Sequence, residues 1–122
     1  MSLAHLTLPS RDVAATAAFL ETTLGYPRAP LPENVTDDAV WLNIGGGQQL
    51  HLIHVDGFEV SPFEREFGRH VALFCPRAQF EALKQKLRVH GADLIDPLRA
   101  TPFARFFFRE PVNGYVFEVI ET

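Results

Sequence analysis

Residues 109–118, REPVNGYVFE, have the pattern of a turn followed by a strand, and Gly114 precedes Glu118 by four residues. The same spacing occurs earlier in the chain, where Gly47 precedes His51 by four residues. In both cases a glycine leads into a short strand pattern that carries one polar side chain between apolar neighbours. This spacing indicates an internal repeat, which decides the architecture before any single residue is considered.

The repeat extends toward the N-terminal side of both segments. His5 precedes Gly25 by 20 residues, and His70 precedes Gly91 by 21 residues. Each glycine follows a run of apolar residues at helical spacing, as a glycine at the end of a helix does. Each half of the chain therefore has the order strand, helix, strands, which predicts a duplicated βαβββ module.

The predicted elements give an α+β chain with one domain over residues 1–122, module 1 spanning about 1–57 and module 2 about 68–122. The elements expected in module 1 are a strand at 3–8, a helix between an N-cap at Ser10 and Gly25, and hairpin strands at 40–44 and 49–55. Those expected in module 2 are a strand at 69–75, a helix between Pro76 and Gly91, and strands at 92–95, 104–108 and 115–120.

Composition excludes several classes of protein. The chain has 122 residues, 47% of them hydrophobic, and a formal net charge of −4, so it can form a core and has no basic surface for nucleic acid. Its single cysteine, Cys75, excludes an internal disulfide and a cysteine-based zinc site, and we expect this thiol to be buried. No apolar run approaches the roughly 18 residues of a membrane span, and no signal peptide is visible, so we expect a cytoplasmic protein.

Four polar residues occupy equivalent strand positions in the two halves: His5, His51, His70 and Glu118. If the modules pair about a pseudo-twofold axis, all four side chains converge in one concave cleft. Three imidazoles and a carboxylate suit a divalent ion of iron, manganese, nickel, cobalt or zinc. The alternative for each residue is an ordinary hydrogen-bonded histidine or glutamate. The remaining histidines, His54 and His90, do not follow the pattern.

The chain resembles the vicinal oxygen chelate superfamily, which contains glyoxalases, bleomycin resistance proteins and extradiol dioxygenases. The matching segments are residues 5–8 (HLTL), 24–26 (LGY), 50–52 (LHL), 70–73 (HVAL) and 109–118. The resemblance implies a curved, half-barrel-like mixed sheet with a central cleft. It implies that His5, His70 and Glu118 are metal ligands, and that His51 takes the fourth position, which is glutamate in glyoxalase I. Glu118 and His51 are then the candidate catalytic residues.

The resemblance does not select one reaction. Phe108 stands where extradiol dioxygenases and fosfomycin-modifying transferases commonly have a tyrosine, whereas Thr7 matches a position of the fosfomycin enzymes. Aromatic residues and an arginine could line a substrate pocket, with core packing or solvation as the alternative for each. The weaker substrate-binding candidates are therefore Thr7, Trp41, Phe106, Phe108 and Arg105.

We therefore expect a metal-dependent enzyme, of lyase, isomerase or ring-cleaving dioxygenase type, that acts on a small substrate with vicinal oxygens. A metal-free drug-binding protein of the bleomycin resistance type and a fosfomycin-type thiol transferase are the alternatives. We also expect a homodimer, because small members of the superfamily often pair their modules between subunits and a short chain leaves sheet edges to cover.

Overall fold

The computed structural model describes residues 1–35 and 38–122. Its chain divides into two compact units, Met1–Phe58 and Glu59–Thr122. Each unit contains a helix and a four-stranded sheet, in the order βαβββ. The α+β class and the tandem βαβββ modules predicted from the repeat are therefore confirmed.

The described part of the first unit contains β1 at His5–Ser10, α1 at Val13–Leu24, β2 at Arg28–Ala29, β3 at Ala39–Gly45 and β4 at Gln48–His54. The sheet order is β1-β4-β3-β2, with β1 parallel to β4 and the other pairs antiparallel. The helix and one face of the sheet share a buried apolar core of Leu8, Leu20, Leu42, Leu50 and Leu52.

The second unit repeats this arrangement with β5 at Val71–Cys75, α2 at Phe80–Val89, β6 at Asp93–Ile95, β7 at Arg105–Arg109 and β8 at Val116–Glu121. The sheet order is β5-β8-β7-β6, again with one parallel pair, β5 and β8. Its core is more aromatic, with Phe80, Leu87, Phe106, Phe108 and Phe117 all buried.

The start of each helix differs from the prediction. Asp12, not Ser10, is the N-cap of α1, and its Oδ1 accepts a hydrogen bond from the Ala15 N–H at 2.9 Å. Pro76 precedes a short 3₁₀ turn, and α2 begins only at Phe80. The helix ends agree better, because Gly25 has the left-handed conformation (φ 72°) that closes α1.

Two strands are shifted relative to their predicted bounds. β1 continues through Pro9, which is tolerated because β1 lies at the edge of its sheet and needs no N–H on its open side. His70 lies one residue before β5, instead of within it. Cys75 at the end of β5 is of intermediate burial, so the expectation of a buried thiol is wrong, although partial burial still raises the pKa of the thiol.

The turn at 109–118 is built around the buried side chain of Glu110. Its carboxylate accepts hydrogen bonds from three backbone N–H groups, those of Val112, Asn113 and Tyr115, at 2.7, 2.8 and 3.2 Å. Gly114 follows with a φ of 94°, a conformation that favours glycine. β8, the strand that carries Glu118, begins directly after this turn.

Among the described residues, no helix is long and apolar enough to cross a membrane.

Candidate functional site

In the first unit, two predicted ligands and one pocket residue form a stack of rings. The β1, β4 and β3 registers pair Thr7 with His51 and Trp41 with His51, so these side chains share one sheet face. The His51 ring lies parallel to both His5 and Trp41, with ring centroids 3.9 Å apart in each pair. His51 is thereby buried, whereas His5 and Thr7 are exposed.

The side-chain amides of Gln49 and Asn43 determine which ring nitrogen of His51 carries the proton. The Gln49 side chain uses its NH₂ group to donate to Asn43 Oδ1 at 3.1 Å, so its carbonyl oxygen faces His51. His51 Nε2 lies 2.8 Å from that oxygen and therefore donates, which leaves the lone pair on Nδ1. Burial lowers the pKa of His51 and the neighbouring His5 lowers it further, so the ring is neutral at neutral pH.

In the second unit, Glu118 and His70 form the corresponding pair. Glu118 in β8 lies between Ala72 on β5 and Phe107 on β7. His70 Nδ1 lies 3.2 Å from the carbonyl oxygen of Arg65, and its Nε2 lies 3.2 Å from Glu118 Oε1. The edge of the imidazole also meets the Phe107 ring, with centroids 5.3 Å apart. Backbone and aromatic contacts thus set the direction of His70.

The other oxygen of Glu118 is bound by a buried arginine. Arg105 Nη1 donates to Glu118 Oε2 at 2.9 Å, and its Nη2 donates to Glu66 Oε2 at 2.9 Å and to the Arg99 carbonyl at 2.6 Å. The Arg105 side chain is only 3% exposed. Burial lowers the pKa of Arg105, but the two carboxylates outweigh this effect and raise it overall. Arg105 is therefore a fixed positive charge beside Glu118.

Glu66 connects this arginine to a nearby loop. Its two oxygens accept hydrogen bonds from the backbone N–H groups of Leu98 and Arg99, at 2.7 and 3.0 Å. Burial raises the pKa of Glu66, but these amides and the Arg105 charge lower it more, so the net shift is downward. The carboxylate is therefore ionised at neutral pH, and the Glu118–Arg105–Glu66 row holds two negative charges for one fixed positive charge.

The structure corrects two predicted pocket residues. Phe106 and Phe108 lie on the face of β7 opposite Glu118, where Phe106 packs edge-on against Phe80 and both side chains are buried. Phe107, which sequence reasoning did not select, lies on the same face of β7 as Arg105 and is the phenylalanine that faces Glu118 and His70. Strand alternation from Arg105 could have identified it, because residues two apart share a face.

The remaining predictions for the site have a mixed outcome. Within each unit the described residues place no group of three His, Cys, Asp or Glu side chains around one point. His5 and His51 belong to the first unit, and His70 and Glu118 belong to the second. One metal site formed by all four residues therefore stays a prediction. Gln49 and Glu66 were missed because nothing in their local sequence marks them as partners of His51 and Arg105.

The sequence of the chain matches one protein-family model over residues 2–119, that of the Glyoxalase/Bleomycin resistance protein/Dioxygenase superfamily. The chain belongs to this superfamily. No curated protein is significantly similar to it in sequence. Superfamily membership covers enzymes of several kinds as well as proteins without catalytic activity.

Solved structures of low sequence identity share the fold. A glyoxalase/dioxygenase from Nostoc punctiforme has a TM-score of 0.81 and 17% identity, covering 98% of this chain and 90% of that one. The fosfomycin resistance protein FosX from Listeria monocytogenes has a TM-score of 0.79 and 15% identity, covering 99% and 90%. The oxidase ChaP-H2 has a TM-score of 0.74 and 20% identity, covering 100% and 94%.

Taken separately, each unit presents donor atoms of the kind that bind the divalent ions that superfamily members typically use. The lone pair of His51 is on Nδ1, and His70 Nε2 and Glu118 Oε1 face one another at 3.2 Å. Two donor atoms at this separation can both lie about 2.1 Å from one ion. Histidine nitrogens with one carboxylate oxygen suit first-row transition metals better than calcium or magnesium.

Proposed function

We propose that the chain is a divalent-metal-dependent enzyme of this superfamily that acts on a small substrate through two vicinal oxygens. In this proposal His5, His70 and Glu118 hold the ion, and His51 is either a fourth ligand or a proton acceptor. The reaction class is that of a lyase, isomerase or dioxygenase. The bound ion would supply Lewis-acid polarisation of the substrate oxygens.

One observation carries the proposal, namely the contact between His70 and Glu118. A carbonyl oxygen can only accept, so the hydrogen bond to Arg65 places a proton on His70 Nδ1. His70 Nε2 then faces a carboxylate oxygen at 3.2 Å, and two acceptors at this distance repel unless a proton or a cation lies between them. The backbone contact at Nδ1 is also the usual way in which proteins orient a metal-binding imidazole.

The first unit contributes neutral groups with defined roles. His51 is held by Gln49 and presents an unprotonated Nδ1, which can accept a proton from a substrate or bind the ion, but not both at once. Trp41 covers one face of that ring, and Thr7 offers an exposed hydroxyl beside it on the same sheet face. These residues are the ones we expect to orient a substrate.

Cobalt titration tests the proposal directly. Tag-free apoprotein is titrated with Co²⁺ by calorimetry and visible absorbance, beside His70→Ala and the matched control His54→Ala. His54 is exposed and pairs with Asp56 at 2.7 Å, outside the candidate site. We expect about one Co²⁺ per chain in the wild type and the control, and at least roughly 100-fold weaker binding in His70→Ala.

Trp41 provides a second readout, because it is the single tryptophan of the chain and stacks on His51. If the first unit contributes ligands, Co²⁺ quenches its fluorescence in the wild type and not in His70→Ala at the same concentration. Absence of stoichiometric Co²⁺ binding in the wild type would overturn the proposal.

A second candidate function is metal-free binding of a small molecule, as in the bleomycin resistance type. The observation that favours it is that Glu118 Oε2 already accepts from Arg105, and a single proton between Glu118 Oε1 and His70 Nε2 would satisfy the other oxygen without an ion. Calorimetry of chelator-treated protein against a panel of aromatic and drug-like ligands tests this function. Tight binding that Co²⁺ does not affect would favour it over the enzyme.

A further inference from the structure

Arg105 connects two carboxylates that would otherwise lie buried without a cation. Its Nη1 donates to Glu118 and its Nη2 donates to Glu66, each at 2.9 Å, and both carboxylate side chains are only 8% exposed. A lysine could not make both contacts in this geometry, because it presents a point charge instead of a planar fork. Burial keeps solvent from screening these interactions.

We propose that Arg105 is a positioning residue that limits Glu118 to one metal-coordinating oxygen and thereby weakens the site, while Glu66 moderates this effect by sharing the arginine. The inference rests on the proposed metal binding. Its physical basis is that Arg105 occupies Oε2 of Glu118 and leaves only Oε1 facing His70. A carboxylate that accepts a hydrogen bond from a guanidinium has less negative charge available for an ion.

Glu66 acts in the opposite direction to Arg105. It accepts from Arg105 and from the amides of Leu98 and Arg99, so the charge of the arginine is divided between two carboxylates. Without the negative charge of Glu66, the guanidinium would be attracted to Glu118 alone. Two neighbours in one hydrogen-bonded row therefore have opposite effects on the affinity of Glu118 for a cation.

Because substitutions of Arg105 and Glu66 are expected to change the Co²⁺ affinity in opposite directions, measuring both distinguishes the proposed role from general damage to the fold. We expect Arg105→Gln to bind Co²⁺ about tenfold more tightly than the wild type, and Glu66→Gln to bind it several-fold to tenfold more weakly. A purely structural role would weaken binding in both variants. Arg105→Lys keeps the charge but loses the bridge, and we expect its affinity to lie between the wild type and Arg105→Gln.

Arg99→Gln is the matched control. It removes a positive charge from the same loop but keeps the backbone carbonyl that accepts from Arg105, and the Arg99 side chain is exposed. We expect its Co²⁺ affinity to remain within about twofold of the wild type, because exposed charges are screened. Amide hydrogen exchange in the apoprotein gives a metal-independent readout. Glutamine keeps one acceptor oxygen, so Glu66→Gln should speed exchange at one of the two amides, that of Leu98 or that of Arg99.

The outcomes separate this inference from the proposed function. If the wild type binds Co²⁺ and Arg105→Gln binds it equally or more weakly, the enzyme proposal stands and the role of Arg105 is overturned. If the wild type binds no Co²⁺ and Arg105→Gln gains a site, the role of Arg105 is supported and the enzyme proposal fails. Binding in neither protein overturns both.

Discussion

The two units share one topology but place different chemistry at equivalent positions. In the first unit His51 is a neutral imidazole between the rings of His5 and Trp41, with its proton held by Gln49. In the second unit the equivalent position is Glu118, a carboxylate bound by a histidine and a buried arginine. The repeat has kept the positions of these side chains on their strands while their charges differ.

Under the proposed function, the two units would contribute unequally to metal binding. The neutral His51 ring supplies a lone pair but no charge, whereas Glu118 supplies the negative charge that a divalent ion requires. The lowered pKa of His51 favours the unprotonated form in which it can bind an ion. The second unit is therefore expected to determine whether an ion binds, and the first to determine which substrate is accepted.

The largest effect expected from this inequality is on Co²⁺ affinity. Glu118→Ala should weaken binding at least roughly 100-fold, because it removes the only carboxylate of the proposed set and leaves the Arg105 charge close to the ion. His51→Gln should weaken it about tenfold if His51 is a ligand, and hardly at all if His51 is a proton acceptor. Calorimetry with both variants measures the difference. Equal losses in the two variants would contradict the unequal roles of the units.

Much of this architecture could be predicted from the sequence, because the repeat spacing and the strand alternation are local properties. The positions of His5, His51 and Glu118 within strands followed from them, as did the left-handed Gly25. Register could not be predicted in the same way. Strand alternation indicates that Phe107 shares a face with Arg105, but which face of β7 lies beside Glu118 depends on how β7 pairs with β8, and a shift by one residue would have presented Phe106 or Phe108 instead.

The contacts of Arg105 could not be predicted from the sequence for a different reason. Glu66 and Arg105 are 39 residues apart, and the loop that carries Leu98 and Arg99 has no periodic pattern to place it.

The start of α1 was predicted wrongly because Ser10 and Asp12 are both good capping residues. The choice between them depends on where β1 ends, and Ser10 is used by that strand, where its hydroxyl contacts Thr16 at 2.9 Å.

The two units also differ in the residue that follows the glycine before the last strand, and this difference predicts a smaller effect on stability at alkaline pH. Gln48 follows Gly47, whereas Tyr115 follows Gly114 and is buried. Burial is the largest cause that raises the pKa of Tyr115 to about 12, so the folded protein keeps the neutral phenol. A tyrosine in the unfolded chain ionises near pH 10. The neutral Tyr115 phenol therefore contributes fully to the stability of the folded state below pH 10, and this contribution is lost as the pH rises toward 12.

We therefore expect the free energy of unfolding to fall by about 1–2 kcal/mol between pH 10 and 12 through Tyr115. Urea unfolding at several pH values in this range, on the wild type and Tyr115→Phe, measures the contribution as the difference between the two curves. Tyr115→Phe should be less sensitive to alkali than the wild type. Parallel curves would show that the phenol is not buried as described.

The smallest expected effect compares the two helices at their N-termini. Asp12 caps α1 by accepting from the Ala15 N–H, whereas Gln79 precedes α2 without a side-chain capping bond. Asp12→Ala should therefore lower the free energy of unfolding by about 1 kcal/mol, and Gln79→Ala should change it by less than about 0.5 kcal/mol. Urea denaturation of both variants at neutral pH measures these values. The variant Gln79→Asp places a capping residue like Asp12 before α2. If the 3₁₀ turn at Arg77–Gln79 already satisfies the first N–H groups of α2, Gln79→Asp will not increase stability, whereas a gain would show that α2 lacks a cap that α1 has.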